Sequence, residues 1–212
     1  MPKPTFFRLA DEKRSRLIKA AYDEFTRAPF AEASISNIIK DAGIPRGSFY
    51  QYFDDKADVY FYLLNRMKTS ATMQIKQAMD VHDGDLFAAM RSLFAGMAKA
   101  LIEGPYAKFY RNIFMYMDFH AASKMSTPPP PHPHGNGEIM DFLVDRTDMT
   151  KLRVSSEEDL RTLIHQLMGL FMQTIGYYYN RQSAGAVVDE AALLRRLNQL
   201  LDWLEFGAGQ PR

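Results

Sequence analysis

The chain has 212 residues, no cysteine, 47% hydrophobic and 24% charged residues, and a formal net charge of +1. That is the composition of a soluble globular protein, long enough for one sizeable domain or a small module attached to a larger one, and it excludes wholesale disorder and a collagen-like fibre. The absence of cysteine removes disulfides, thiolate zinc sites and thiol nucleophiles, and it fits a reducing, cytoplasmic setting.

No stretch approaches the roughly 18 consecutive apolar residues of a membrane span. The first residues, MPKPTFFRLADEKR, lack the apolar core and small-residue cleavage site of a signal peptide. Beyond them, apolar residues recur at spacings of three and four between glycine and proline breaks, which predicts an all-α fold. The expected helices run over about 11–28, 35–42, 46–52, 55–80, 84–102, 105–121, 137–148, 156–182 and 189–206. Leu17, Ala21 and Phe25 share a face of the first. Leu160, Ile164, Leu167, Phe171 and Ile175 share one late in the chain, and Leu193, Leu197, Leu200 and Leu204 another near its end. Ser34, Ser155 or Ser156, and Asp189 are the expected N-caps, while Asp54 and Asp55 put negative charge at the start of the 55–80 helix. No β-branched alternation flanked by hairpin turns predicts a strand. Residues 123–137 read SKMSTPPPPHPHGNG. Four consecutive prolines exclude a helix there, leaving a polyproline ligand for another domain or a solvated connector.

Residues 34–56, SISNIIKDAGIPRGSFYQYFDDK, have a spacing with consequences. Ile35, Ile38 and Ile39 turn one face of a short helix inward, and Ala42 lets a crossing helix approach. Gly43 can take the left-handed conformation that ends the helix, and Pro45 suits the start of the next one. The result is a helix-turn-helix. Its second helix is compact at its start, with Arg46, Gly47, Ser48, Gln51 and Tyr52 along one side and Phe49 and Phe53 anchoring the other. A recognition helix enters the major groove by its N-terminal residues, where bulk would hold it away from the bases. Arg46 can pair with a guanine edge and Gln51 with an adenine edge, while Ser48 and the tyrosines can reach phosphates. A helical corner that touches no DNA is the competing reading of any one of these features.

The stretch AGIPRGSFYQYFDDKADVY resembles the helix-turn-helix signature of the TetR family of bacterial transcriptional regulators. Ala42, Gly43, Gly47, Tyr50, Tyr52, Phe53 and Lys56 match its pattern, and RLIKAAYDEFTRAPFAEASISNII resembles the family's first helix and the entry to its second. Ala28-Pro29 stand where the family usually has a glycine. The resemblance is specific over about residues 11–65 and architectural beyond. It implies a three-helix DNA-binding domain over residues 1–56 and a larger helical domain for effector binding and dimerisation over residues 57–212. Double-stranded DNA is the implied partner, as an operator palindrome read by a homodimer. The implied DNA-contacting residues are Ser34, Ser36, Arg46, Gly47, Ser48, Tyr50, Gln51, Tyr52 and Lys56. For Tyr50 and Tyr52 a packed ring with a bonded hydroxyl stays open. In the family mechanism a ligand moves the helix after the helix-turn-helix and changes the separation of the two recognition helices.

The resemblance also implies that the last two helices pair with their twofold mates. The sequence agrees, because Leu194 and Leu201 add a second apolar stripe to the last helix, and Gly169 and Gly176 fall seven apart in the one before it. An effector pocket is implied as well. Met67, Phe94, Phe109, Tyr110, Phe114, Met117, Phe171 and Tyr178 are its candidate lining, for an apolar or amphipathic small molecule in a methionine-rich setting. Glu103, Asp118 and Asp141 could meet a cation and Arg111 an acid, so the effector's charge stays open. His132 and His134 flank a proline without nearby acids, and no metal or other cofactor is expected. No catalytic constellation is recognisable. The competing class is a helical ligand- or metal-binding enzyme with an incidental helix-turn-helix. Finally, residues 1–56 carry a balance of only +2, so a grip on phosphate must come from placement, hydroxyls and helix N-termini.

Overall fold

The computed structural model describes residues 1–116 and 136–208. Met117, Asp118, His120, His132, His134 and the proline-rich run through residue 135 lie outside them. Among the described residues the chain is helical and has no strand. The helices are α1 (Pro4–Phe7), α2 (Asp11–Arg27), α3 (Ile35–Ala42), α4 (Arg46–Tyr52), α5 (Lys56–Val81) and α6 (Leu86–Glu103), then α7 (Ala107–Tyr116), α8 (Asn136–Arg146), α9 (Glu157–Ser183) and α10 (Glu190–Phe206). Each helix expected from periodicity is present. The extension of α7 to 121 falls outside the described residues. The four-residue α1, too short to show a period, was not expected.

Helix ends follow local chemistry. Ser156 caps α9 by accepting the Asp159 N–H at 3.1 Å, and Asp189 caps α10 by accepting that of Ala192. At the start of α5 Asp55 accepts the Asp58 N–H at 2.9 Å, and the Asp58 carboxylate accepts the N–H of Asp54 at 3.0 Å. Ser34 stands at the N-cap of α3 in an extended conformation, but its hydroxyl makes no cap bond. That corrects the expected chemistry. Its own N–H is held instead by the Glu24 carboxylate, 2.6 Å away.

Two compact units divide the chain. The first comprises residues 1–70 and 104–117, the second residues 71–103 and 118–212. The first reaches beyond residue 56 because Val59 and Leu63 of α5 and Phe109 and Ile113 of α7 are buried in one core with Leu17, Phe25, Ile38, Phe49 and Phe53. Phe6 of α1 closes that core, its ring 5.1 Å from both Phe53 and Tyr62. Asn112 of α7 donates to the Phe25 carbonyl at 2.9 Å, near the end of α2. In the second unit Leu93 and Phe94 of α6, Leu167 and Phe171 of α9, and Leu193, Leu197 and Leu201 of α10 are buried. Phe94 and Phe171 stack at 4.6 Å, and the Tyr179 hydroxyl donates to the Leu101 carbonyl at 2.7 Å. Gly84, at φ +74, sits where a Cβ would lie 2.6 Å from the Arg146 carbonyl oxygen. Only glycine fits that turn.

Candidate nucleic-acid interface

The turn between α3 and α4 is built as its residues predict. Gly43 adopts φ +62, its N–H reaches the Lys40 carbonyl at 3.1 Å, and the Ile44 N–H reaches that of Ile39 at 3.2 Å. This is a Schellman ending, with Ile44 buried beneath it. Pro45 takes the N-cap of α4, so Arg46 is its first helical residue. The short α4 then buries Phe49 completely and turns Arg46, Gly47, Tyr50 and Gln51 outward. These positions, one and four residues apart, form one face. Among the described residues, a Cβ built at Gly47 would meet no heavy atom within 4 Å outside its own helical turn. Space, rather than packing, surrounds that glycine.

The remaining candidates divide. Ser36 is exposed, and Ser34 and Ser48 are half-buried. Tyr50 is 40% exposed, with its ring edge against Phe49 at 5.5 Å. Tyr52 is only 6% exposed, so a phosphate could reach only its rim. Lys56, the first residue of α5, sends its ammonium to the Ala33 and Ala31 carbonyls at 2.8 and 3.1 Å and over the Phe30 ring at 4.8 Å. Two of its three protons are thereby spoken for, and one remains.

Two features of this face depend on residues that periodicity overlooked. Glu24 of α2, 1% exposed, accepts from the Ser34 N–H, from the Asn37 amide at 3.1 Å and from Arg27. Burial alone would push its carboxyl up, yet these hydrogen bonds and the Arg27 charge hold it below the usual carboxylate range. Its sequence signal was an acid on the stripe of Leu17, Ala20 and Ala21. The second feature lies at the end of α4. Its last carbonyls, on Tyr50, Gln51 and Tyr52, accept from the Lys3 ammonium at 2.9 Å, the Thr5 hydroxyl and the Lys3 N–H at 2.8 Å. The N-terminal segment thus caps α4 from outside it.

Three acids near this face are paired with cations. Lys3 pairs with Asp54 at 2.6 Å, and Arg27 with Glu24 and Asp41. Arg46 makes no ion pair among the described residues. Of the effector candidates, Met67, Phe109, Tyr110 and Phe114 belong to the first unit, and Phe94, Phe171 and Tyr178 to the second. Phe109, Phe94 and Phe171 are fully buried. Met117 falls outside the described residues. Among those residues no group of three or more His, Asp or Glu side chains could hold a metal ion, and no helix is long and apolar enough to cross a membrane.

Known proteins share this design. The family described as "Bacterial regulatory proteins, tetR family" matches residues 17–63, and "Tetracyclin repressor-like, C-terminal domain" matches residues 85–208. The uncharacterized HTH-type transcriptional regulator YdgC of Bacillus subtilis is 43% identical over 53 residues, 25% of this chain and 27% of that protein. The transcriptional regulator AcuR of Cereibacter sphaeroides is 34% identical over 84 residues, 39% of this chain and 37% of that protein. The matched stretches thus span well under half the length of these curated relatives. A TetR family transcriptional regulator from Chloroflexus aurantiacus is similar along the whole length, with 28% identity, a TM-score of 0.56 and 98% of each chain covered. The chain belongs to the TetR family of bacterial transcriptional regulators, DNA-binding proteins and not enzymes.

Proposed function

We propose that this regulator is a repressor that binds a palindromic operator as a homodimer and is released by an apolar or amphipathic small molecule. The observation that carries the DNA reading is the outward face of α4, where Arg46, Tyr50 and Gln51 surround a glycine whose missing side chain no packing among the described residues requires. Arg46 and Gln51 read base edges, Gly47 admits the helix to the groove, and Ser34, Ser36, Ser48 and Tyr50 hold phosphates. Lys56 joins them through its remaining proton, and Tyr52 contributes its rim. Such a protein works beside the chromosome, in the cytoplasm.

The dimer is assigned to α9 and α10. Met172 and Tyr177 on α9 and Trp203 and Leu204 on α10 are exposed, and a Cβ at Gly169 or Gly176 would meet nothing within 4 Å among the described residues outside its own helix. A second copy would cover this apolar surface. Release by the effector requires that it bind the DNA-incompetent state more tightly, because equal affinity for both states shifts nothing.

Fluorescence anisotropy on a palindrome from the chain's own promoter tests the reading. Binding should weaken with salt and disappear in an Arg46→Ala, Gln51→Ala double variant. A double variant that binds like the parent removes α4 from the interface. Leu204→Asp should turn a dimer into a monomer in sedimentation; an unchanged sedimentation coefficient would move the dimer elsewhere.

A further inference from the structure

Within the first unit, α2, α5 and α7 border a cleft of about 370 Å³, lined by Arg14, Lys19, Tyr22, Arg66, Tyr106 and Tyr110 among others. None of its lining residues belongs to α4. Three cationic side chains converge on it, and no carboxylate is in the lining. Arg14 and Lys19 are partly neutralised by Asp11 and Asp23, which stand outside the cleft. Arg66 has no carboxylate partner among the described residues; its guanidinium stands over the Tyr62 ring, 6.0 Å from the centroid. Tyr22 and Tyr106 stack at 4.1 Å, giving one wall a flat aromatic surface, and Ile18 and Met67 add apolar lining.

We infer that this cleft binds a small organic anion, a carboxylate or phosphate monoester carried on a single ring or a short apolar body. Arg66 meets the anionic head, with Arg14 and Lys19 adding charge. The aromatic wall and the Met67 side chain take the body. Tyrosine hydroxyls assist as donors: burial pushes the Tyr22 phenol up to about 12, and Tyr110 is raised for the same reason, so both stay protonated at neutral pH. The volume lies within the roughly 300–1,000 Å³ typical of ligand pockets, near its lower end, which suits a compact ligand. The inference deepens the effector reading by naming a chemical class and a place, since Met67 and Tyr110 were already candidates. It also specifies coupling, because the apolar face of α2 packs with α3 in the core of the helix-turn-helix.

Isothermal titration of the full chain with benzoate, phenyl phosphate and benzylamine tests this without DNA. At least one anion should bind saturably with one equivalent per chain, and the stronger anion distinguishes carboxylate from phosphate chemistry. Benzylamine should not bind. Arg66→Ala, a change at an exposed position, should weaken the anion about tenfold, the scale of a lost charge-assisted hydrogen bond. Tyr22→Phe, which keeps the ring and removes the hydroxyl, should weaken it about threefold. The exposed Lys99→Ala in the second unit should change nothing. The inference is overturned if neither anion saturates by millimolar concentration, if benzylamine binds as well, or if Arg66→Ala and Tyr22→Phe both match the parent. Operator binding by the same preparations is measured separately, so its failure would count against the DNA reading alone.

Discussion

The two compact units solve the same packing problem with different materials. In the first, a buried carboxylate, a left-handed glycine and an N-terminal cap hold three short helices, and the outward face of α4 is made of hydrogen-bond donors. In the second, long helices are held by leucine and phenylalanine, and what remains exposed on α9 and α10 is apolar. Short helices cannot sustain themselves by propensity, so the first unit needs specific polar ties. Long amphipathic helices need only a face, and a surplus of it invites another protein. The difference predicts different partners: a polyanion for one surface, a second copy for the other.

The largest expected effect comes from Phe6→Ala, which empties a fully buried site of the first unit. It should cost about 3–5 kcal/mol and abolish operator binding. Trp203, the chain's one tryptophan and a reporter of the second unit, should show an unchanged thermal transition. A matching shift in Trp203 fluorescence would erase the distinction between the units. Glu24→Ala follows, at about 2–3 kcal/mol by urea unfolding, because it strands the Ser34 N–H and the Asn37 amide. Its pH signature is specific. The folded carboxyl lies below its ordinary value of 4.5, so its contribution is present above that pH and lost as pH falls through the lowered value. Glu24→Ala should therefore narrow its gap to the parent on acidification; a constant gap would mean that the carboxylate's charge is irrelevant.

Arg46→Ala should leave both transitions in place and relax discrimination at one base pair by about 1–3 kcal/mol, read by binding to a substituted operator series. Uniform weakening across that series would recast Arg46 as a phosphate contact. The smallest effect is expected of Lys56→Ala. Losing its two carbonyl bonds should cost about 1 kcal/mol of stability, and losing its remaining proton should reduce the salt slope of DNA binding by about 0.9. A lost stability with an unaltered slope would make Lys56 purely a brace for the loop before α3.

The helix-turn-helix was legible because its signals are local. Gly43, Pro45 and the isoleucines of α3 act within a few residues of themselves, and the structure repeats that arrangement closely. Glu24 and the Lys3–Thr5 segment were not, since their roles depend on partners 10 and 46–49 positions away along the chain. Periodicity reports that a face is buried without saying against what. Phe109 and Phe94, both candidates for a cavity lining, are buried in different units. The apolar surplus on α10 was visible in its leucines, although Leu193, Leu197 and Leu201 form the inner stripe while Leu204 stays outside.

The recognition helix has seven residues, about half the roughly 12–15 below which an isolated helix is marginal in water. Its shape is therefore lent to it by its neighbours, and Thr5 is one of the lenders without belonging to the outward face of α4. A change there would act as a volume control rather than a tuner. Thr5→Val, which removes the bond to the Gln51 carbonyl, should lower affinity for every operator in equal proportion while the order of preference among them stays the same.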